Sequence, residues 1–166
     1  MAKKLTDQAT EAPFKEIIES DQIYEIPYFQ RGYKWKGKQK NELIQDIDQI
    51  LQGEEPVHFL GTIILHKKQT GATETNMFEI IDGQQRLTTL YLLCLAIVNV
   101  YIRNKQYDEA SFALEQLIIL KKTRQNASNL KLWPGRDDRQ QFNDLHRKIW
   151  DHKGFHKHIV GQELKL

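Results

Sequence analysis

The residues best suited to chemistry in this chain lie in Phe78-Glu79-Ile80-Ile81-Asp82-Gly83-Gln84-Gln85-Arg86-Leu87. The apolar run Phe78 to Ile81 has the character of a short strand, and Asp82-Gly83 turns the chain. From Leu87 onward, Leu90, Tyr91, Leu93, Cys94, Ile97, Val98 and Tyr101 recur at helical spacing. The polar cluster therefore sits at a strand-to-helix junction, where free backbone N–H groups and the positive end of a helix dipole attract anions. Gly83 lets a ligand approach the backbone closely, and Arg86 can grip phosphate with two parallel bonds. Asp82 suits an N-cap and equally a ligand for Mg²⁺ or water. An Asp-Gly turn before a helix needs no more than a cap. Gln84, Gln85 and Arg86, three long polar side chains in the first turn of an otherwise apolar helix, exceed that need.

A second constellation is Ile26-Pro27-Tyr28-Phe29-Gln30-Arg31-Gly32-Tyr33-Lys34-Trp35. Pro27 ends a strand read over Ile23 to Ile26, and Gln30 and Arg31 follow on a loop. Arg31, Lys34, Lys36, Lys38 and Lys40 add positive charge with no acid among them, and Tyr28, Phe29, Tyr33 and Trp35 interleave flat rings. Basic groups bind phosphate, and rings either stack on bases or pack the loop onto the core. Tyr33, Lys34, Trp35, Lys36 and Lys38 are the candidate DNA contacts. Gln30 and Arg31 match the phosphate turn in chemical type, which predicts that the two segments meet in one pocket.

Other elements must position these groups. The N-terminal residues 1–12 are polar and read as a loose arm. Phe14, Ile17 and Ile18 predict a short helix. Leu43, Ile44, Ile47, Ile50 and Leu51 predict a helix over Asn41 to Leu51, ended by Gly53. His58 to His66 reads as a strand too apolar for an exposed edge, joined by a polar turn, Gln69 to Asn76, to a hairpin partner over Met77 to Ile81. A long helix runs from Gln84 to about Asn104. A further helix is expected over Asp108 to Lys122, then a connector over Ala127 to Gly135, then a helix capped by Asp137 or Asp138. Lys153 to Leu166 shows little pattern. The chain is thus an α/β (α+β) unit: an arm (1–12), a core with both motifs (13–104) and a helical extension (105–166).

With 166 residues, the chain has room for one domain with a real core. Lys+Arg 24 against Asp+Glu 22 leaves a net charge of +2, so nucleic acid would be met by a local patch. Cys94 is the only cysteine and lies in the most apolar helix, a buried thiol rather than a nucleophile. No signal segment is evident, and the apolar run Leu90 to Val98 is too short to span a membrane, so a cytoplasmic protein is expected. His152, His156 and His158 are interleaved with lysines, which suits a solvated basic tail better than a metal site.

I-P-Y-F-Q-R-G-Y-K-W, H-F-L-G-T-I-I-L and I-I-D-G-Q-Q-R-L-T-T-L, in this order, resemble the N-terminal domain family of GmrSD-type modification-dependent restriction enzymes, which the SspE-like DGQQR domain also resembles. Leu132-Trp133-Pro134 with Asp137, Asp138, Arg139 and Phe142 is similar to a further element of that family. The resemblance implies a small mixed ParB/sulfiredoxin-like sheet with packed helices. It also implies binding and hydrolysis of a nucleoside triphosphate with Mg²⁺, coupled to sensing modified DNA. Gln30 and Arg31 match the first family motif, and Asp82, Gly83, Gln84, Gln85 and Arg86 the second, as nucleotide-binding and catalytic residues. A nuclease site is not evident, so cleavage falls to a nuclease-bearing partner subunit or a further C-terminal domain. Sulfiredoxin-type reduction is disfavoured, because Gln85 stands where a reactive cysteine is required. The alternative is a non-enzymatic ParB-like module that binds DNA or nucleotide without turnover.

Overall fold

Three short strands run parallel and a fourth closes one edge in the opposite direction. The computed structural model describes residues 12–54, 59–69, 75–120 and 130–163. Among these, α1 (Phe14–Glu19), β1 (Ile23–Glu25), α2 (Gly37–Leu51), β2 (Ile64–Lys67), β3 (Met77–Asp82) and α3 (Gln84–Arg103) follow in order, then α4 (Tyr107–Leu117), β4 (Leu132–Trp133), α5 (Arg139–Trp150) and α6 (Lys153–Glu163). The sheet order is β2-β3-β1-β4. β1 pairs in parallel with β3 and with β4, and β2 pairs antiparallel with β3. This is the mixed α/β architecture expected, with the predicted hairpin in place.

The topology decides where a ligand can sit. β1, β3 and β4 are parallel, so the segments that follow them leave from one end of the sheet. β2 runs the other way and starts opposite Asp82, so the segment before it arrives at that same end. Four loops therefore gather at the carboxyl ends of the parallel strands, the usual ligand side of such sheets.

α3 anchors the assembly. Eleven of its residues are buried, from Gln84 to Ile102. Tyr24, Ile26, Ile80 and Leu132 of the sheet segments, Leu114 of α4, Phe142 and Ile149 of α5 and Phe155 of α6 join it in one continuous core. Among the described residues, α3 alone is long and apolar enough to cross a membrane, yet 56% of that stretch is buried inside the protein, as in a core helix. The Cys94 thiol is buried, and that burial pushes it up to about 11. Lys131 is also buried, its Nζ donating to Ile18 O at 2.7 Å and to Gln116 O, so one side chain satisfies carbonyls near the ends of α1 and α4.

Several elements depart from the sequence expectations. β2 begins at Ile64, not at His58, which lies outside the described residues, and it forms the edge of the sheet with Ile64 45% exposed. Gly61 adopts φ +88°, which strand geometry forbids, so the apolar residues Leu60 and Ile63 belong to a loop. α2 starts at Gly37, four residues early, and α4 stops at Leu117. The connector before Gly135 contains β4, a two-residue strand too short to leave a pattern. The C-terminal segment forms α6 rather than a solvated tail. Phe155 is fully buried, Tyr107 packs against His152, Phe155 and His158, and His158 Nε2 lies 3.2 Å from Asp108 Oδ1. Residues 1–11 of the expected arm, most of the Gln69 to Asn76 turn, and Ala127 to Asn129 of the expected connector fall outside the described residues.

Candidate functional site

The β3–α3 junction is built by Gly83. It takes φ +88°, and a Cβ there would meet Ile63 and Thr62 O at 3.0 to 3.1 Å, so only glycine fits this turn. Asp82 is exposed, and its Oδ1 accepts from Gly83 N–H at 2.8 Å. No side chain caps α3, so the N–H groups of Gln84, Gln85 and Arg86 open the helix without a side-chain acceptor. Arg86 is half-buried, and its Nη1 donates to Thr62 O at 3.1 Å. Gly61 lies flat against the guanidinium: a Cβ on Gly61 would sit 2.8 Å from Arg86 Cζ.

The loop carrying Gln30 and Arg31 docks directly on this turn. Gln30 Nε2 donates to Ile81 O at 3.1 Å. Gln84 Nε2 donates to Arg31 O at 2.7 Å. Gln85 makes three bonds to the loop backbone: Oε1 accepts from Lys34 N–H at 2.7 Å and Trp35 N–H at 3.2 Å, and Nε2 donates to Gly32 O at 3.2 Å. Thr89 Oγ1 donates to Gln85 O, which makes Tyr33 the donor in its 2.9 Å contact with Thr89 Oγ1. Hence two segments more than fifty positions apart form one unit, and the Arg31 main chain is held by a residue two positions from Arg86.

The glutamines of the turn face inward. Gln84 is 7% exposed and Gln85 8% exposed. Gln85 is engaged at both ends of its amide. Gln84 is engaged only through Nε2, and its Oε1 is buried with no partner. The Arg31 carbonyl fixes which end of that amide is nitrogen. A buried acceptor in this state is where a water or a ligand's donor belongs.

The third contributor was not legible as such. Asp138 stands at the N-cap position of α5, as predicted, but makes no cap bond to its own helix. Its Oδ2 instead accepts from Tyr33 N–H at 2.7 Å. Leu132-Trp133 runs beside β1, which carries the chain to Gly135 and Asp138 at the same end of the sheet as Arg31.

The candidate DNA contacts divide in two. Lys34, Lys36 and Lys38 are exposed, Lys38 within 3.9 Å of Glu42. Tyr33 and Trp35 are half-buried, while the rings that stand open are Tyr28 and Phe29, 85% and 66% exposed and packed edge to face. No group of three or more His, Cys, Asp or Glu able to hold a metal ion occurs among the described residues.

No curated protein matches this sequence. Residues 14–159, from the start of α1 into α6, match the family described as GmrSD restriction endonuclease, N-terminal domain. That span takes in the Gln30-Arg31 loop, the Asp82 to Arg86 turn and the Asp138 clamp, and covers most of the chain. The chain belongs to the GmrSD restriction endonuclease N-terminal domain family, a family of restriction systems.

Proposed function

We propose that this chain is the nucleotide-handling regulatory domain of a restriction system that senses modified DNA. One observation carries the reading. The Gln30-Arg31 loop and the Asp82 to Arg86 turn are hydrogen-bonded into a single unit at the uncapped N-terminus of a 20-residue helix. Two guanidinium groups and first-turn N–H groups are the parts of a phosphate site outside the P-loop class.

Arg86 and the turn amides grip the phosphates. Arg31, exposed on the facing loop, neutralises charge that develops on the transferred phosphoryl group. Of the three glutamines that could orient an attacking water, Gln85 has its amide engaged at both ends and Gln30 holds Ile81 O. Gln84 has a buried amide oxygen without a partner, and it is the acceptor for that water. Asp82 keeps Oδ1 on Gly83 N–H, which leaves Oδ2 for a cation. A lone carboxylate suits Mg²⁺ that arrives on a triphosphate better than a metal held by the protein alone. Bound there, the ion would neutralise phosphate charge. Lys34, Lys36 and Lys38 reach for the DNA backbone, and a nuclease-bearing partner or further domain cuts. Such a protein works in the cytoplasm.

The second reading is a ParB-like module that binds nucleotide or DNA without turnover. The engagement of Gln85 at both ends of its amide favours it, because that withdraws one of the three glutamines from handling water. Release of phosphate from the four ribonucleoside triphosphates, with and without modified DNA, separates the two. Stimulated turnover supports the first reading, and binding without phosphate release supports the second.

A further inference from the structure

We infer that Asp138 is a positioning residue for Arg31, through which the C-terminal helical part sets the phosphate site. This deepens the proposed function and rests on it. The loop that carries Arg31 has no helix or strand of its own from Gln30 to Lys36. Its backbone is held by side chains from elsewhere. α3 provides Gln84 on Arg31 O and Gln85 on Gly32 O, Lys34 N–H and Trp35 N–H. Between these lies Tyr33 N–H, which is held by Asp138. Without that bond the loop backbone from Arg31 to Trp35 would lose the one side-chain hold described for it that comes from outside α3.

Asp138 is rigidly mounted. Its own N–H donates to Gly135 O at 3.1 Å, and its carbonyl accepts from Phe142 N–H at 3.0 Å in the first turn of α5. Phe142, 4% exposed, stacks on Tyr91 of α3 with ring centroids 6.1 Å apart, which fixes α5 to the helix that bears Arg86. The fit at the loop is close: a Cβ on Gly32 would lie 3.4 Å from both carboxylate oxygens. An ionised acceptor on a backbone N–H is a strong hydrogen bond, and an acidic N-cap residue that ignores its own helix to make it is acting across the fold. Asp138 touches no ligand in this scheme. It acts on Arg31 through the Gly32-Tyr33 backbone.

The test is a double-mutant cycle on the whole chain, read by calorimetric titration of inorganic triphosphate with Mg²⁺. Arg31→Ala is expected to weaken binding about ten- to a hundredfold. Asp138→Ala is expected to weaken it about tenfold, and the double variant to be no weaker than Arg31→Ala alone, because the two act in series. Asp138→Asn keeps an acceptor for Tyr33 N–H and is expected to restore affinity to within roughly threefold of wild type. Should Asp138→Ala fold poorly, Asp138→Ser carries the same expectation: it is a good N-cap but too short to reach Tyr33. Effects that multiply in the double variant, or an Asp138→Asn as weak as Asp138→Ala, overturn the inference. Wild-type affinity in the Asp138 variants, with Arg31→Ala impaired, overturns it alone and leaves the phosphate site standing. A wild-type chain that does not bind the probe overturns both.

Discussion

Replacing Gln85 with methionine isolates what that side chain does, because length and volume are nearly kept while the amide is lost. Gln85 is 8% exposed and bonds to Lys34 N–H, Trp35 N–H and Gly32 O. Each such bond contributes about 0.5–1.5 kcal/mol net. Losing all three should cost roughly 1.5–4.5 kcal/mol, with little cavity penalty from a flexible thioether. For a chain of this size that corresponds to a fall in melting temperature of roughly 5–15 °C. The freed loop also carries Arg31, so triphosphate affinity should fall in parallel. Gln85→Glu should lie between: it keeps an acceptor for Lys34 and Trp35, but sets a carboxylate against the Gly32 carbonyl. Thermal unfolding and triphosphate titration on the three proteins decide the matter. If Gln85 instead acts directly on reacting groups, the methionine variant will melt with wild type and lose only turnover, and the clamp is refuted.

Three further perturbations have definite expected outcomes. Gly61→Ala forces a Cβ to within 2.8 Å of Arg86 Cζ at a φ of +88°; it should destabilise by about 1–2 kcal/mol through the left-handed backbone and should weaken triphosphate binding by displacing the guanidinium, both readable in one set of titrations. Burial lowers His146 to about 4, so between about 6.5 and 4 the unfolded chain binds the extra proton. Stability should therefore fall by about 3 kcal/mol as pH drops through that window and level off below it, and denaturation of His146→Phe should lack that slope. If the exposed Lys36 and Lys38 lie on DNA phosphates, removing both should reduce the log–log salt slope of duplex binding by about 1.8 and weaken modified and unmodified DNA alike; an unchanged slope removes them from the interface.

The residues that matter were legible by type, and their roles much less so. Gln30-Arg31 and Asp82 to Arg86 stand out because their chemistry exceeds what a turn requires. Strand, turn and helix around Gly83 follow from spacing alone. What spacing cannot show is which way a first-turn side chain points. Gln84 and Gln85 face inward because their partners are backbone atoms of a loop some fifty positions away. Asp138 reads as a cap because local sequence sees only its own helix, while its carboxylate bonds 105 positions back. The aromatic loop shows the same limit: Tyr33 finds Thr89 and turns in, whereas Tyr28 and Phe29 remain outside. β4 has too few residues to leave a period, and the stretch Leu60 to Ile63 reads alike as strand or as loop until Gly61 is seen at positive φ.

The most direct test of the phosphate site is an equilibrium titration of nucleoside triphosphate with Mg²⁺ into wild type and Arg86→Ala. Arg86 is half-buried at the start of α3, and its loss opens no core cavity, so the variant should fold. Wild type is expected to bind, and Arg86→Ala about ten- to a hundredfold more weakly, the cost of one charge-assisted bond to phosphate. Equal affinities in a folded variant would contradict a phosphate site at the Asp82 to Arg86 turn.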